Sequence, residues 1–446
     1  MKFLNLFVSC AQPHPSLPAA YARPPRWLWL LLLLISLAGI GNHELWTPDE
    51  PREAAITLAM RRSGELAIPR LAGEPFVEKP PLAYIAGAGI LALGETLLGT
   101  TAALRLSSAL WGLATLGVTF LLARRLAGPV TAAWSVAALA LMPGFVQVTH
   151  WLLVDSALMF MIAAALWLLY EAYSRRRPPL LALAGIAAAG AFLVKGLIGP
   201  LIMGLGWLGL ALSLARTGTW RYWLGRRSCL WHLIALMLFG LLTGIWMLAL
   251  RMEGGPELWH EWFWDNHFGR FSGQARHLGH IRGPFYYVSA LAVCLLPWLG
   301  YWFYGICQAW RRGRGLTERL LRGPWPLLLA WAGGGLLLLT VSSTKREIYL
   351  SMLMPALAII TGLLLRRPPP RWLHRYLLAW QGLALMILAA AVPAPLLGWL
   401  LGWCDWTFGL FWSLLALLAL AAAWRIVRRA TIPWLSRFLA VTALAY

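Results

Sequence analysis

Apolar runs long enough to cross a bilayer, separated by short basic loops, fill almost all of this sequence. Soluble domains carry roughly 25% charged residues, whereas this chain is 12% charged and 60% hydrophobic. The pattern predicts an all-α polytopic membrane protein with about 12–13 transmembrane helices. The predicted spans are 27–43, 103–122, 130–148, 156–173, 180–194, 198–215, 230–250, 285–306, 325–341, 348–365, 376–396 and 406–424, with 434–446 as a candidate thirteenth.

The basic residues lie in clusters between these runs, and their placement predicts the orientation of the chain. A net charge of +21 would suit a nucleic-acid binder. A nucleic-acid partner is nevertheless excluded, because the clusters alternate with apolar runs, as they do on the cytoplasmic side of membrane proteins. Arg124 and Arg125 share that side with the later clusters only if Leu82–Leu98 does not cross. This run is therefore predicted to be a re-entrant or interfacial helix.

With that topology, the polar stretches of the chain share the exterior face. The two long stretches are the first exterior loop, 42–101, which is expected to contain juxtamembrane helices, and a second loop, 251–284. The short ones surround Asp155, Lys195 and residues 342–347. The spans and these loops form one predicted transmembrane domain, 1–430, followed by 431–446 as a candidate final helix.

The first exterior loop contains the densest group of charges. Pro48 precedes Asp49 and Glu50, and apolar residues then recur at helical spacing, so the acidic pair begins a short amphipathic helix. Favourable placement at the helix N-terminus is one explanation of the pair. A carboxylate beside a membrane face, in a chain with few acidic residues, favours a catalytic role.

Cations on the exterior face indicate an anionic ligand. Glu78 and Lys79 precede two prolines that fix the backbone, so Lys79 is predicted to bind a phosphate. Snorkelling to lipid headgroups is the alternative for Lys79. Lys345 and Arg346 lie outside, against the positive-inside trend, and an anionic ligand explains them better than orientation does.

Asp155 and Lys195 are single charges between apolar runs. A lone buried aspartate needs a partner or a role, and Lys195 is predicted either to pair with Asp155 or to reach a phosphate. Capping of the following helix by Asp155 and snorkelling by Lys195 are the alternatives.

The second exterior loop mixes tryptophans with Arg270 and several histidines. This mixture suits a platform for a sugar or a headgroup, and interfacial anchoring explains the tryptophans as well. His260, His267, His277 and His280 follow no known ligand spacing, so no cofactor is indicated and a divalent metal is an open alternative. The cysteines show no paired spacing, and no disulfide is predicted.

Several blocks of this chain resemble bacterial aminoarabinose-transferase-like and protein O-mannosyltransferase-like enzymes, which are integral membrane glycosyltransferases of the GT-C fold. The resemblance covers roughly residues 25–365. One position departs from it: the family often has an aromatic residue after the Arg of its acidic motif, where this chain has Glu53. The blocks are Asp49–Arg52, Met60, Gly64, Pro69-Arg70, Gly73, Pro75-Phe76, Glu78–Leu82, Asp155, Leu193–Gly196, Asn266–Phe271 and Lys345–Leu350.

The resemblance implies that Asp49 lies near the reacting acceptor and that a polyprenyl-phosphate donor is held by Lys79, Arg270 and Tyr349. It further implies that Asp155 and Lys195 complete the cavity. Residue patterns and resemblance together give three groups of candidates: catalytic Asp49, Glu50 and Asp155; donor-phosphate-binding Lys79, Lys195, Arg270, Lys345, Arg346 and Tyr349; and the cavity residues Arg52, Glu78 and His267.

The predicted function is sugar transfer from a polyprenyl-phosphate donor to a periplasmic acceptor, lipid A or another envelope glycolipid, at the bacterial inner membrane among membrane lipids. A protein O-glycosyltransferase of the same fold is the alternative within this class. A lipid or sugar transporter or flippase is the alternative from another class, although the chain shows no repeat of two halves typical of many transporters.

Overall fold

The computed structural model describes residues 25–41, 43–216, 218–274, 280–311, 320–366, 368–429 and 434–445. Within these ranges the chain is almost entirely helical, as predicted. The helices are α1 (Arg26–Leu37), α2 (Asp49–Ser63), α3 (Leu82–Leu98), α4 (Thr100–Ala127), α5 (Pro129–Ala140), α6 (Pro143–His150), α7 (Asp155–Arg175), α8 (Leu180–Lys195), α9 (Ile198–Arg216), α10 (Trp220–Trp223), α11 (Arg226–Glu253), α12 (Gly255–His260), α13 (Arg270–Ser272), α14 (Tyr286–Cys294), α15 (Leu299–Arg311), α16 (Trp325–Leu329), α17 (Gly335–Val341), α18 (Met354–Leu365), α19 (Arg371–Ala391), α20 (Ala394–Leu400), α21 (Trp406–Arg428) and α22 (Trp434–Leu444).

Three segments of the described residues wind differently from an α-helix. Glu261–Gly269 and Ala330–Gly334 are π-helices, and Glu347–Leu353 is a 3₁₀-helix that continues into α18. The strands of the described residues form one small hairpin, β1 (Arg70–Leu71) and β2 (Glu74–Pro75), in which Arg70 pairs with Pro75. Gly73, at the tip of this hairpin, has a φ of 90°, which glycine adopts without steric cost.

Seven helical segments of the described chain are long and apolar enough to span a membrane: Thr100–Ala127, Asp155–Arg175, Ile198–Arg216, Arg226–Glu253, Glu347–Leu365, Arg371–Leu400 and Trp406–Arg428. The chain is thus a multi-pass membrane protein. Predicted spans 130–148 and 285–306 are broken: α5 and α6 meet at 64°, and α14 and α15 at 117°. Pro143 and Pro297 lie at these breaks, where a missing N–H and the proline ring oppose a continuous helix.

Small residues determine how closely the spans approach. A Cβ on Gly185 of α8 would lie 2.3 Å from the carbonyl oxygen of Ala235 in α11, so only glycine fits this crossing. Such contacts are usual between helices in membranes, where packing supplies much of the attraction. In their most apolar 18-residue stretches, Asp155–Arg175 and Glu347–Leu365 are 78% and 89% buried, the highest of the seven segments. The last two segments are 11% buried and lie at the periphery.

The exterior segments pack together instead of forming separate loops. Ile68 and Val77 of the first exterior loop share an apolar cluster with Phe192, Trp246 and Trp262. Trp262 is fully buried there, so it is a core residue and not part of an exposed platform. The 342–347 stretch joins the second loop through Ser343 N–H to Phe271 O (3.0 Å) and Lys345 N–H to His280 O (2.9 Å). The described part of the predicted 251–284 loop is helical over residues 255–272, and these contacts tie it to the 342–347 stretch.

Candidate active site

A network of carboxylates and cations lies where these exterior segments meet the ends of α7 and α8. It draws on five parts of the sequence that are far apart: the first exterior loop, the start of α7, the end of α8, the second exterior loop and the stretch before the 3₁₀-helix. Acidic and basic groups alternate in it, with one positive charge in excess. The acidic members are Asp49, Glu53, Glu78 and Asp155, and the basic members are Arg52, Lys79, Lys195, Arg270 and Arg346.

Asp49 is held by two guanidinium groups. Arg346 Nη1 donates to Asp49 Oδ1 at 3.1 Å, and Arg346 Nη2 donates to Oδ2. Arg52 Nη2 donates to Oδ1 at 2.9 Å from the next turn of α2. Burial raises the pKa of Asp49, but the hydrogen bonds and charge of Arg346 outweigh it, so this pKa lies below its ordinary value. Asp49 is therefore ionised and fixed in orientation.

Lys79 pairs with Glu53, one turn along α2 from Asp49. Lys79 Nζ donates to Glu53 Oε1, and both side chains are buried. Burial lowers the pKa of Lys79, but the carboxylates of Glu53 and Glu78 outweigh it and raise this pKa above its ordinary value. Lys79 is therefore a charged ammonium, as a phosphate ligand would require.

Arg270 reaches the site from the second exterior loop. Its Nη1 lies 3.2 Å from Glu78 Oε1 and 3.3 Å from Asn266 Oδ1. Burial raises the pKa of Glu78, but Lys79 and Arg270 outweigh it, so the pKa of Glu78 is lowered. The two candidates that precede the double proline thus each pair with a residue of opposite charge: Lys79 with Glu53, and Glu78 with Arg270.

Asp155 and Lys195 form the pair that the sequence suggested. Lys195 Nζ donates to Asp155 Oδ1 at 2.5 Å across the ends of α7 and α8. The same ammonium lies 4.5 Å from the centre of the Tyr349 ring, a cation–π contact. Tyr349 belongs to the 3₁₀-helix and is half-buried. These three residues therefore form the boundary of the site on the side of the 3₁₀-helix.

Glu50 does not share the open site with Asp49, and we revise its predicted catalytic role. Its side chain is fully buried and accepts hydrogen bonds from Arg105 Nε and Nη2 at 2.8 and 2.9 Å. The backbone N–H groups of Trp46 and Leu152 donate to it as well, at 2.8 and 2.7 Å. A carboxylate with its acceptor sites filled in this way anchors the first exterior loop to α4 and to the start of α7.

Lys345 also departs from its predicted role in phosphate binding. Its Nζ donates to the backbone carbonyls of Ser342 and, at 3.3 Å, Arg282. The residue is 4% exposed, and burial lowers the pKa of Lys345. Lys345 thus connects two backbone segments, whereas its neighbour Arg346 enters the charged network.

The described histidine candidates are held by other contacts. His267 Nδ1 lies 2.8 Å from the Trp262 carbonyl oxygen, and the Leu197 N–H donates to Nε2 at 3.3 Å. A Cβ on Gly196 would lie 2.2 Å from His267 Nε2, so Gly196 makes room for this ring. Among the described residues no three His, Cys, Asp or Glu side chains could hold a metal ion. His277 lies outside the described residues.

Sequence reasoning missed two partners. Arg105 lies within the predicted span 103–122, and a buried arginine near the end of a span implies a carboxylate partner. Glu53 was noted only as a departure from the family motif. Its position one helical turn after Asp49 was the available signal that both face the same side.

Comparisons with known proteins agree with this arrangement. Residues 78–246 match the family described as dolichyl-phosphate-mannose-protein mannosyltransferase. The undecaprenyl phosphate-alpha-4-amino-4-deoxy-L-arabinose arabinosyl transferase of Pseudomonas paraeruginosa is 30% identical over 354 residues, 76% of this chain and 59% of that protein. A protein of the same name from Sodalis glossinidius is 30% identical over 75% of this chain and 58% of its own length. The chain thus spans less than two thirds of the length of these relatives.

The fold is also that of a solved structure. The crystal structure of ArnT from Cupriavidus metallidurans bound to undecaprenyl phosphate aligns with a TM-score of 0.69 at 23% identity, over 94% of this chain and 76% of that one. Its apo form aligns with a TM-score of 0.67. The chain belongs to the aminoarabinose-transferase-like and protein O-mannosyltransferase-like family of integral membrane proteins with the GT-C fold.

Proposed function

We propose that this protein is a glycosyltransferase that moves a sugar from a polyprenyl-phosphate donor to an acceptor at the outer face of the bacterial inner membrane. The observation that carries the proposal is the charged network itself. Three of its cations, Lys79, Arg270 and Arg346, are each paired with a carboxylate of the same site. An entering phosphate competes with those carboxylates for the cations, so the site can exchange internal pairs for a ligand.

Lys79 and Arg270 bind the donor phosphate in this proposal, with Lys195 and Tyr349 on its other side. In the reaction the bond between the sugar C1 and the phosphate oxygen breaks, and its electron pair stays on the phosphate. An oxocarbenium-like state develops at the sugar. The cations stabilise the charge that accumulates on the departing phosphate in a partly buried site, where such stabilisation is strongest.

Asp49 orients the acceptor in this mechanism. Its lowered pKa makes it a weak base, because a general base works best when its pKa lies near the working pH. An acceptor that is already ionised needs no proton removed, and its counter-charge comes from Arg346 and Arg52. We therefore propose a phosphate-bearing acceptor such as lipid A.

A protein hydroxyl is the second candidate acceptor. It is favoured by the match of residues 78–246 to a family named for protein mannosyl transfer. A hydroxyl must lose its proton during transfer, so Asp49 would have to act as a general base as well as orient the acceptor. The weak basicity of Asp49 places this candidate second.

The proposed orientation puts the network on the periplasmic side. It is supported by the basic clusters between the spans, which favour the cytoplasmic side. This orientation also requires that α3 does not cross the membrane. In support of this, α3 packs directly against the polar helix α2. A Cβ on Gly87 of α3 would lie 3.2 Å from Thr57 Cγ2 of α2, and Arg61 of α2 contacts Glu95 of α3. Labelling of single cysteines placed at positions 64 and 225 from outside intact cells tests this orientation.

The test of function uses purified full-length protein in detergent with undecaprenyl-phosphate-linked 4-amino-4-deoxy-L-arabinose as donor. Lipid A and a periplasmic protein extract are offered as separate acceptors, and products are identified by mass spectrometry. We expect labelled lipid A, and Lys79→Ala should abolish the product. Arg61→Gln is the control, because Arg61 pairs with Glu95 outside the network. A transporter would move lipid between leaflets of vesicles without forming any product, and that result would refute the proposal.

A further inference from the structure

Glu53 forms an ion pair with Lys79, the lysine that binds the donor phosphate in the proposed function. Glu53 Oε1 accepts from Lys79 Nζ, and the two residues are 1% and 8% exposed. While the Lys79 ammonium is paired with this carboxylate, its electrostatic attraction for a phosphate is weaker. The inference that follows rests on the proposed function, because it concerns what happens to Lys79 when donor binds and carrier leaves.

Sugar transfer increases the negative charge of the phosphate that is bound to Lys79 and must then dissociate from it. The donor is a phosphodiester with one negative charge, and the spent carrier is a phosphomonoester whose second pKa is about 6. The electron pair of the broken C1–O bond stays on the carrier, while the acceptor oxygen forms the new bond to C1. Lys79 keeps its proton throughout. The spent carrier therefore binds the ammonium more strongly than the donor does, which opposes its release.

Glu53 can remain charged while Lys79 is turned toward a phosphate. Arg52 Nη2 lies 3.5 Å from Glu53 Oε1. Glu53 Oε2 and the Tyr84 hydroxyl are both buried, and neither has a hydrogen bond of full geometry among the described residues. The two groups are neighbours, and burial and the Glu53 carboxylate together raise the pKa of Tyr84. Both residues line one small, partly open cavity of about 20 Å³, together with Thr57, Ser107 and Ser156. One water needs about 10–15 Å³ and polar partners, so the cavity has room for a water that joins the carboxylate to the phenol.

We propose that Glu53 competes with the carrier phosphate for Lys79 and takes the lysine back when the spent carrier leaves, while Tyr84 stabilises the Glu53 carboxylate in the interval. Glu53 is thus a positioning residue that acts through Lys79. Its effect falls on product release, and Tyr84 acts in the opposite direction by making the carboxylate less dependent on the lysine.

Binding of undecaprenyl phosphate alone to the full chain in lipid nanodiscs tests this proposal. Glu53→Gln keeps the shape of the side chain and removes the competing charge, so it should tighten carrier binding about tenfold and lower kcat through slow release. Tyr84→Phe should weaken carrier binding several-fold, because Glu53 then retains Lys79 more firmly. A purely structural role would lower the melting temperature of both variants without these opposite changes in affinity.

Two further variants separate this proposal from the proposed function. If Lys79→Ala binds the carrier as tightly as the parent protein, the phosphate site lies elsewhere and both proposals fail. If Lys79→Ala loses binding while Glu53→Gln binds equally or more weakly at an unchanged melting temperature, only the role of Glu53 is refuted. Glu95→Gln is the matched control, since Glu95 pairs with Arg61 between α2 and α3 at a solvent-accessible position. Should Glu53→Gln fail to fold, unchanged carrier affinity in Tyr84→Phe refutes the proposal by itself.

Discussion

Arg346 and Asp49 lie 297 residues apart in the chain, and a single guanidinium contacts both oxygens of the carboxylate. Two-point contact fixes the plane of the carboxylate as well as its position. It brings the stretch before the 3₁₀-helix to the first turn of α2, and so joins two ends of the charged network that are far apart in the sequence. The pKa of Arg346 is raised, chiefly by its hydrogen bonds to Asp49, so the guanidinium stays charged at every working pH.

Replacement of Arg346 by Gln should move the acid limb of the pH–activity profile to higher pH. Burial raises the pKa of Asp49 and Arg346 lowers it, so this pKa rises when the guanidinium is removed. In the proposed mechanism ionised Asp49 supports transfer, so activity should be lost as the pH falls through its pKa. The measurement is kcat/KM against pH for parent and variant, with Arg61→Gln as control. An acid limb that does not move would contradict the assignment.

The effect of Arg346→Gln on the melting temperature should depend on pH for the same reason. A carboxyl with a lowered folded-state pKa contributes stability that is present above its unfolded pKa, near 3.8 for Asp49. That contribution is lost as the pH falls through the folded-state pKa. Arg346→Gln should therefore reduce the melting temperature near neutral pH and leave it nearly unchanged in strong acid.

Replacement of Asp49 by Asn should lower kcat by about 10²-fold, because the acceptor loses the carboxylate that orients it. Asn preserves the size of the side chain, so carrier binding and membrane insertion should stay normal. The checks are transfer assays with purified protein, carrier affinity and protein level in membranes. Full activity in this variant would remove Asp49 from the mechanism.

Replacement of Glu50 by Gln should destabilise the protein and spare the chemistry of the folded fraction. The buried charge of Arg105 would lose its partner, which costs about 3–5 kcal/mol. The double variant with Arg105→Met should recover part of that loss, because it removes the unpaired charge. Thermal unfolding in detergent measures the first effect, and kcat per folded molecule measures the second. A large fall in kcat at unchanged stability would restore Glu50 as a catalytic residue.

Replacement of Lys345 by Gln should leave the affinity for undecaprenyl phosphate within about twofold of the parent value, because its ammonium is used by backbone carbonyls. Lys79→Ala should weaken the same affinity by at least about tenfold, since a charge-assisted hydrogen bond is lost. Both affinities are measured in nanodiscs under one buffer. Equal losses in the two variants would return Lys345 to the phosphate site.

Helices and their order could be predicted from the sequence, because each apolar run must satisfy its backbone hydrogen bonds within itself. The bends at Pro143 and Pro297 were not predicted. Proline weakens a helix wherever it occurs, but the 64° and 117° angles depend on the neighbouring helices against which each half packs.

The individual roles of the charged residues were less predictable. Asp49 and Glu50 are adjacent and chemically alike, yet consecutive helical residues point in different directions, so one faces the network and the other faces Arg105. Lys345 and Arg346 divide in the same way between backbone carbonyls and Asp49. Pattern and spacing give no information on which cation meets which carboxylate.

The sequence by itself determined that this chain is a multi-pass helical membrane protein, and it predicted that the rare charged residues between its apolar runs gather on one face. Both follow from the cost of placing polar groups in hydrocarbon, which acts on every residue independently. Only the tertiary structure decided the pairs Asp49–Arg346, Glu53–Lys79 and Glu50–Arg105. Ion pairs depend on a few ångströms of separation between distant parts of the chain, and that separation exists only once the helices have packed.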